Sequence, residues 1–157
     1  MENSASVQMP VIGIRPAALF AFIKIVPFLL AALGLLWLAW RYWPGLVWLS
    51  TAAAGAAVYR YLYIRRIRYT VTAEYLQVSR GLLFRRKDTI ELFRVKDYVL
   101  IQPLLLQVLR LMDLQLITTD PLNPQLWLRG IPMSDLVEQL RERVLATRRY
   151  NRIYEIN

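Results

Sequence analysis

From Pro16 to Trp40 the chain reads PAALFAFIKIVPFLLAALGLLWLAW, with Lys24 as its one charge. No other feature restricts the fold as strongly, because a helix rising 1.5 Å per residue needs about 20 apolar residues to cross roughly 30 Å of hydrocarbon. Lys24 stands in the first third, where its alkyl stem lets the ammonium reach the near interface. Pro27 removes one backbone donor, a defect that membrane helices tolerate when neighbours satisfy the freed carbonyl. Pro44-Gly45 marks a turn, and a second apolar stretch runs from Leu46 to Ile64, interrupted near its end by Arg60. The pattern predicts a two-helix transmembrane hairpin over 16–64, preceded by an N-terminal cytoplasmic tail over 1–15.

Trp37, Trp40, Tyr42, Trp43 and Trp48 crowd the turn, as an aromatic belt does at a headgroup layer. The tip carries only Arg41, whereas Arg15, Arg65, Arg66 and Arg68 collect on the other side. By the positive-inside rule both termini are cytoplasmic and the protein is multi-pass in the cytoplasmic membrane of a bacterium. Small residues fill Ser50 to Ala57, with Thr51 and Gly55 four apart, so transmembrane packing is expected there, against the first span or against another chain. Hydrophobic residues make up 57% of the 157 and charged residues 20%, and the two classes are segregated, which suits a membrane segment plus a soluble one.

Beyond Arg68 the hydrophobic period becomes two. Tyr69, Val71, Leu76 and Val78 alternate with Thr70, Thr72, Gln77 and Ser79, predicting two strands around a tight turn at Ala73-Glu74. Leu82 to Val95 reads as a third strand, a charged turn around Arg86 to Asp88, and a fourth strand. Lys96 to Pro103 gives a fifth, ended by a proline. The stretch LLLQVLRL after Pro103 reads as one or two helical turns or as a buried strand. DLQLITTD and QLWLRGI supply the last strands. Ser134 is placed to cap a final helix, with Asp135 and Glu138 in its first turn and Leu136, Val137, Leu140, Val144 and Leu145 as its apolar stripe. The expected fold is a membrane α-helical hairpin plus a mainly-β barrel of about seven antiparallel strands over 65–147. A C-terminal amphipathic helix caps the barrel, and a tail follows over 148–157.

The residues from Ile67 to Val144 resemble the bacterial pleckstrin-homology-like (PH) domain of small membrane proteins, a family typically built as two transmembrane helices followed by one such domain. The resemblance rests on Tyr69 to Thr72, the strand ending before Gly81, the pair IELFRVKDYVLIQ (Ile90 to Gln102) and LITTD (Leu116 to Asp120). The chain departs from the pattern at Leu111 to Asp113, where relatives often carry glycine. The resemblance implies a cytosolic PH-type barrel used for interaction. Eukaryotic relatives that bind phosphoinositides use a basic cluster in the first hairpin loop, and here that loop is Ala73-Glu74, without a base.

The formal charge of +9 leaves two basic clusters to explain. Arg60, Arg65, Arg66 and Arg68 mark the membrane junction, where each contributes about 1 kcal/mol toward an anionic surface; they set topology or contact anionic lipid. Arg80, Arg85, Arg86 and Lys87 form either a solvated face or a site for an anion or acidic partner. Nucleic acid is not an expected partner, since Phe84, Phe93, Tyr98 and Trp127 fall mostly on core positions rather than along a basic groove. The chain has no cysteine and no histidine, which excludes thiol nucleophiles, Ser-His relays and Cys/His metal sites. It also has no glycine-rich phosphate loop. No enzyme activity and no cofactor are expected. The sequence therefore predicts a noncatalytic, membrane-anchored binding or scaffold module that engages a protein partner or self-associates. The alternatives are a sensor of anionic lipid headgroups and an accessory subunit of a larger membrane assembly.

Overall fold

The computed structural model describes residues 10–150. The chain begins with a short strand β1 (Ile12–Ile14), followed by helices α1 (Ala18–Arg41) and α2 (Leu46–Arg66). Strands β2 (Arg68–Val71), β3 (Tyr75–Arg80) and β4 (Arg86–Glu91) come next, and a single 3₁₀ turn (Leu92–Arg94) leads into β5 (Val95–Ile101). A short helix α3 (Leu104–Val108), strands β6 (Leu111–Thr118) and β7 (Gln125–Pro132), and helix α4 (Leu136–Tyr150) complete the described chain. All strand pairs are antiparallel, in one sheet ordered β1-β2-β3-β4 and a second ordered β5-β6-β7. The domain is thus a mainly-β PH-like fold of two sheets.

The α1–α2 pair meets along residues spaced seven apart. Ile25, Ala32 and Ala39 of α1 are buried, as are Ser50, Ala57 and Ile64 of α2. A seven-residue repeat keeps one seam facing the partner helix, and the alanines let the backbones come close. The Ser50 hydroxyl donates to the Ala32 carbonyl at 2.7 Å, which satisfies the one polar side chain in the seam. Thr51 and Gly55 face outward instead, and nothing lies within 4 Å of where a Gly55 Cβ would stand. Thr51 donates to the Val47 carbonyl of its own helix at 2.9 Å. Among the described residues one helix, α1, is long and apolar enough to cross a membrane. Helix α2 is paired to it but carries Arg60, Arg65, Arg66 and a run of small residues that lower its hydropathy.

The two sheets and α4 share one core, with Val71, Leu76, Val78, Ile90, Leu92, Leu114, Leu116, Leu126, Leu128 and Leu140 all fully or nearly fully buried. Alternation along the strands produces it: β6 buries Leu114 and Leu116 while Asp113, Gln115 and Ile117 are partly exposed. Thr72 closes the β2–β3 turn, its N–H and hydroxyl both donating to the Tyr75 carbonyl.

Several expectations shift. Residues 12–14 are not tail but a strand paired to β2, Ile12 opposite Val71 and Ile14 opposite Tyr69; three residues with one glycine carry too short an alternation to read. Leu82 to Phe84 form a turn rather than a strand, and Arg86 to Asp88 lie within β4 rather than in a turn. The left-handed Gly81 (φ +115°) sets the reversal there, because a Cβ would overlap the Phe84 carbonyl. The segment after Pro103 is helical. Helix α4 starts at Leu136, buries Leu136, Leu140 and Val144 as expected, leaves Leu145 exposed, and takes Arg143 and Thr147 into its buried face. Of the tail expected over 148–157, residues 148–150 belong to α4 and 151–157 lie outside the described residues.

Tyr98 of β5 points its hydroxyl inward without a hydrogen-bond partner among the described residues. Burial pushes its pKa up to about 12, partly opposed by Arg148 and Arg141. The folded pKa lies above the unfolded value near 10, so this stabilisation is complete below pH 10 and is lost as pH climbs from 10 to 12. Tyr98→Phe is expected to match or exceed the parent's stability at pH 7 and to flatten the decline above pH 10, measured by thermal melts across that range.

Candidate functional site: a cationic cleft at the hairpin–barrel junction

Pairing register decides which charges meet. Arg68 lies opposite Ser79 and Arg80 opposite Arg86, so the β3–β4 turn falls at the end of the sheet where α2 runs into β2. Of the first cluster singled out in the sequence (Arg60, Arg65, Arg66 and Arg68), the last three therefore gather with the second (Arg80, Arg85, Arg86 and Lys87) at the hairpin end of the domain, while Arg60 stands farther up α2. Asp88 offsets part of that charge: the Arg86 Nε donates to it at 2.7 Å, and Arg80 stands 3.7 Å from its other oxygen.

That same end exposes apolar side chains. Leu83 and Phe84 in the β3–β4 turn are 81% and 91% exposed. Helix α3 presents Leu104, Leu105 and Val108 outward while Leu106 packs with Phe20, Ala21 and Ile64 at the base of the hairpin. Apolar and basic groups side by side at one end are what an interfacial surface requires.

The hairpin is pinned to the domain at Gly130. This residue is left-handed (φ +62°), and the Phe20 ring occupies the space a Cβ would need. The Gly130 carbonyl accepts from the Ala17 N–H at 2.8 Å, and its N–H donates to Asp113 Oδ1 at 2.6 Å. Asp113 sits where the β6–β7 register shifts, so the segment expected to depart from the family pattern supplies this carboxylate.

Beside that pin opens a cavity of about 780 Å³. Its hairpin wall is formed by Phe20, Lys24 and Phe28 of α1 and by Tyr59, Arg60 and Tyr63 of α2. Its domain wall is formed by Tyr69, Arg80, Gln125, Trp127 and Arg129. Gln125, Trp127 and Arg129 alternate along β7 and so project from one face. Four cations, Lys24, Arg60, Arg80 and Arg129, come from four different elements, and no carboxylate lines the cavity among the described residues. Three of them lie against aromatic faces: Lys24 Nζ is 5.4 Å from the Phe20 ring centre, Arg60 Cζ 5.3 Å from Phe28, and Arg129 Cζ 5.0 Å from Trp127. Such contacts hold a cation in place without neutralising it. Tyr69 forms part of the inner wall; its hydroxyl accepts from the Arg129 N–H at 3.1 Å, and burial pushes its pKa up, so it is neutral at physiological pH.

Of the sequence candidates, only Arg60 and Arg80 line the cleft; Arg65, Arg66, Arg68, Arg85, Arg86 and Lys87 do not. Lys24 and Arg129 were not among those candidates. Two signals pointed to them: Lys24 and Arg60 are the two charges that interrupt the apolar runs, each six positions from the hairpin base (18 to 24 and 60 to 66). Arg129 occupies an outward position of β7, directly before the left-handed Gly130.

The family described as Bacterial PH domain matches residues 10–148. No curated protein and no solved structure matches the chain.

Proposed function

We propose that this chain, which belongs to the bacterial PH domain family, is a noncatalytic binding module anchored by its hairpin in a bacterial cytoplasmic membrane. Its two-sheet domain lies against the cytoplasmic leaflet and engages a protein partner or a second copy. The observation that carries this reading is the surface of α1: Leu30, Leu33, Leu36, Trp37 and Trp40 are exposed among the described residues, along a helix of mean hydropathy 2.4. Exposed apolar area of this extent is costly in water at roughly 25 cal/mol per Å² and costless in hydrocarbon. The exposed Leu83, Phe84, Leu104 and Val108 at the domain's hairpin end agree with this placement, as do the tip tryptophans and the basic junction. Tethering raises the effective concentration of membrane-proximal partners, so weak contacts suffice for binding. The outward Thr51–Gly55 face of α2, exposed and lined by small residues, is where a second chain would pack closely.

Membrane fractions holding the full-length protein are expected to retain it through alkaline carbonate washing and to release it only into detergent. Protease added to inside-out vesicles is expected to reach residues 72–75 and 119–124, while the hairpin tip stays protected. Release by carbonate, or cleavage only from the outer face, overturns the anchoring.

A further inference from the structure

We propose that the junction cleft binds one anionic phospholipid, its phosphate held among Lys24, Arg60, Arg80 and Arg129 and its acyl chains lying against the hairpin wall. The proposal rests on the hairpin being in the membrane.

Four like charges facing one cavity repel one another, and no carboxylate among the described residues lines the cavity to oppose them. Asp88 does little for Arg80, because its short contact at 2.7 Å goes to Arg86 while Arg80 stands at 3.7 Å. A phosphate supplies the missing negative charge and accepts charge-assisted hydrogen bonds from lysine and the forked guanidinium groups. Its position is set in advance, since Phe20, Phe28 and Trp127 already hold three of the four cations.

Depth separates a lipid from a soluble phosphate. From Ile25 to Trp40 α1 carries no charge, about 24 Å of helix, and from Leu46 to Tyr59 α2 carries none, about 21 Å. Both lengths fall somewhat short of roughly 30 Å of hydrocarbon. With the tryptophan-rich tip at the far headgroup layer, the backbones of Lys24 and Arg60 therefore lie roughly level with one another, about 6–9 Å short of the near boundary, and their long side chains snorkel across that gap to the near headgroups. The six residues between these cations and the hairpin base cover about 9 Å, which brings the base to the near boundary of the hydrocarbon. The cleft thus opens where a lipid phosphate resides, and its aromatic side chains on the hairpin wall suit the glycerol and upper acyl segments. Its volume lies within the roughly 300–1,000 Å³ of small-molecule sites. The site differs from the first hairpin loop, where Ala73-Glu74 offers no cation, and from the solvent-facing arginines Arg65 and Arg66.

The test uses full-length protein in nanodiscs of phosphatidylcholine containing a minority of phosphatidylglycerol, followed by native mass spectrometry of the lipids kept after transfer to mild detergent. The protein is expected to keep one phosphatidylglycerol, enriched about tenfold or more over its share of the bilayer. The double variant Arg60→Gln/Arg129→Gln is expected to abolish that enrichment, and Arg80→Gln to reduce it, with both variants remaining carbonate-resistant in membranes and melting as the parent does. Loss of carbonate resistance in the parent would instead mark failure of the anchoring. Equal retention of both lipids, or loss of enrichment in Arg65→Gln/Arg66→Gln but not in the cleft variants, overturns the proposal in favour of diffuse surface attraction. Displacement of the lipid by millimolar inorganic phosphate or glycerol 1-phosphate overturns it in favour of a soluble anion.

Discussion

Gly130→Val is expected to separate the hairpin from the two-sheet domain and to lower stability by about 2–5 kcal/mol, of which the left-handed backbone accounts for roughly 1–2 and overpacking for roughly 1–3. A valine cannot readily hold φ +62°, and its Cβ would occupy the space of the Phe20 ring. Any backbone shift that relieves the overlap also disturbs the bonds from Ala17 to the Gly130 carbonyl and from Gly130 to Asp113. The chain lacks cysteine, so spin labels placed at the exposed Val58 and Gln139 report the angle between hairpin and domain without interference. The parent is expected to give one narrow distance distribution and Gly130→Val a broad one. Phe20→Ala in the same chain removes the overlap and is expected to restore part of the lost stability, since residues in contact are non-additive. A Gly130→Val protein with an unchanged distribution would show that the hairpin is held by something other than this contact.

Arg143→Met is expected to cost about 1.5–3 kcal/mol, the range for hydrogen bonds made by a charged group. Arg143 is 4% exposed, and its guanidinium donates to the Pro10 carbonyl at 2.6 Å and to the Val71 carbonyl at 3.4 Å. Burial pushes its pKa below the usual arginine value, yet an arginine remains a cation at neutral pH. Methionine keeps much of the aliphatic packing and removes the donors. The loss is expected to be local first: amide hydrogen exchange at 12–14 quickens more than at the core strands β3 and β6. If Arg143→Met melts above the parent, the guanidinium's desolvation outweighs its two bonds, an outcome known for buried ion pairs replaced by apolar side chains.

The hairpin and the sheets were legible in the sequence to different degrees, for physical reasons. Long apolar runs flanked by tryptophan and arginine leave few alternatives, and the helices at 18–41 and 46–66 lie within two residues of the expected 16–64 hairpin at each outer end. Alternation located β2, β3, β6 and β7. It misplaced β4, because Leu82, Leu83 and Phe84 look like strand residues while the backbone conformation of Gly81 commits them to a turn. Arg143 sits on the 136, 140, 143, 147 ridge of α4, a position its spacing marked as inward and its charge argued against. The cleft was half legible. Arg60 and Arg80 came from runs of basic residues, but their meeting with Lys24 and Arg129 depends on how the hairpin leans against β7, which Gly130 and Phe20 decide and no local pattern encodes.

The pairing of β1 with β2 has a consequence for how the protein is made. These two strands are neighbours in one sheet, yet the whole helical hairpin lies between them in the chain. The ribosome therefore releases β1 long before its partner strand exists, and the sheet cannot close until both helices have been made and the chain has turned back. Formation of the hairpin becomes a checkpoint that precedes completion of the domain. A fragment beginning at residue 65 begins past that checkpoint without its first strand, leaving the outer edge of β2 bare for adventitious pairing and Arg143 without the Pro10 carbonyl. Binding measured on such a fragment would describe an aggregation-prone remnant, whereas a chain in which a short loop replaces the hairpin and joins Ile14 to Arg68 would preserve the pairing of β1 with β2.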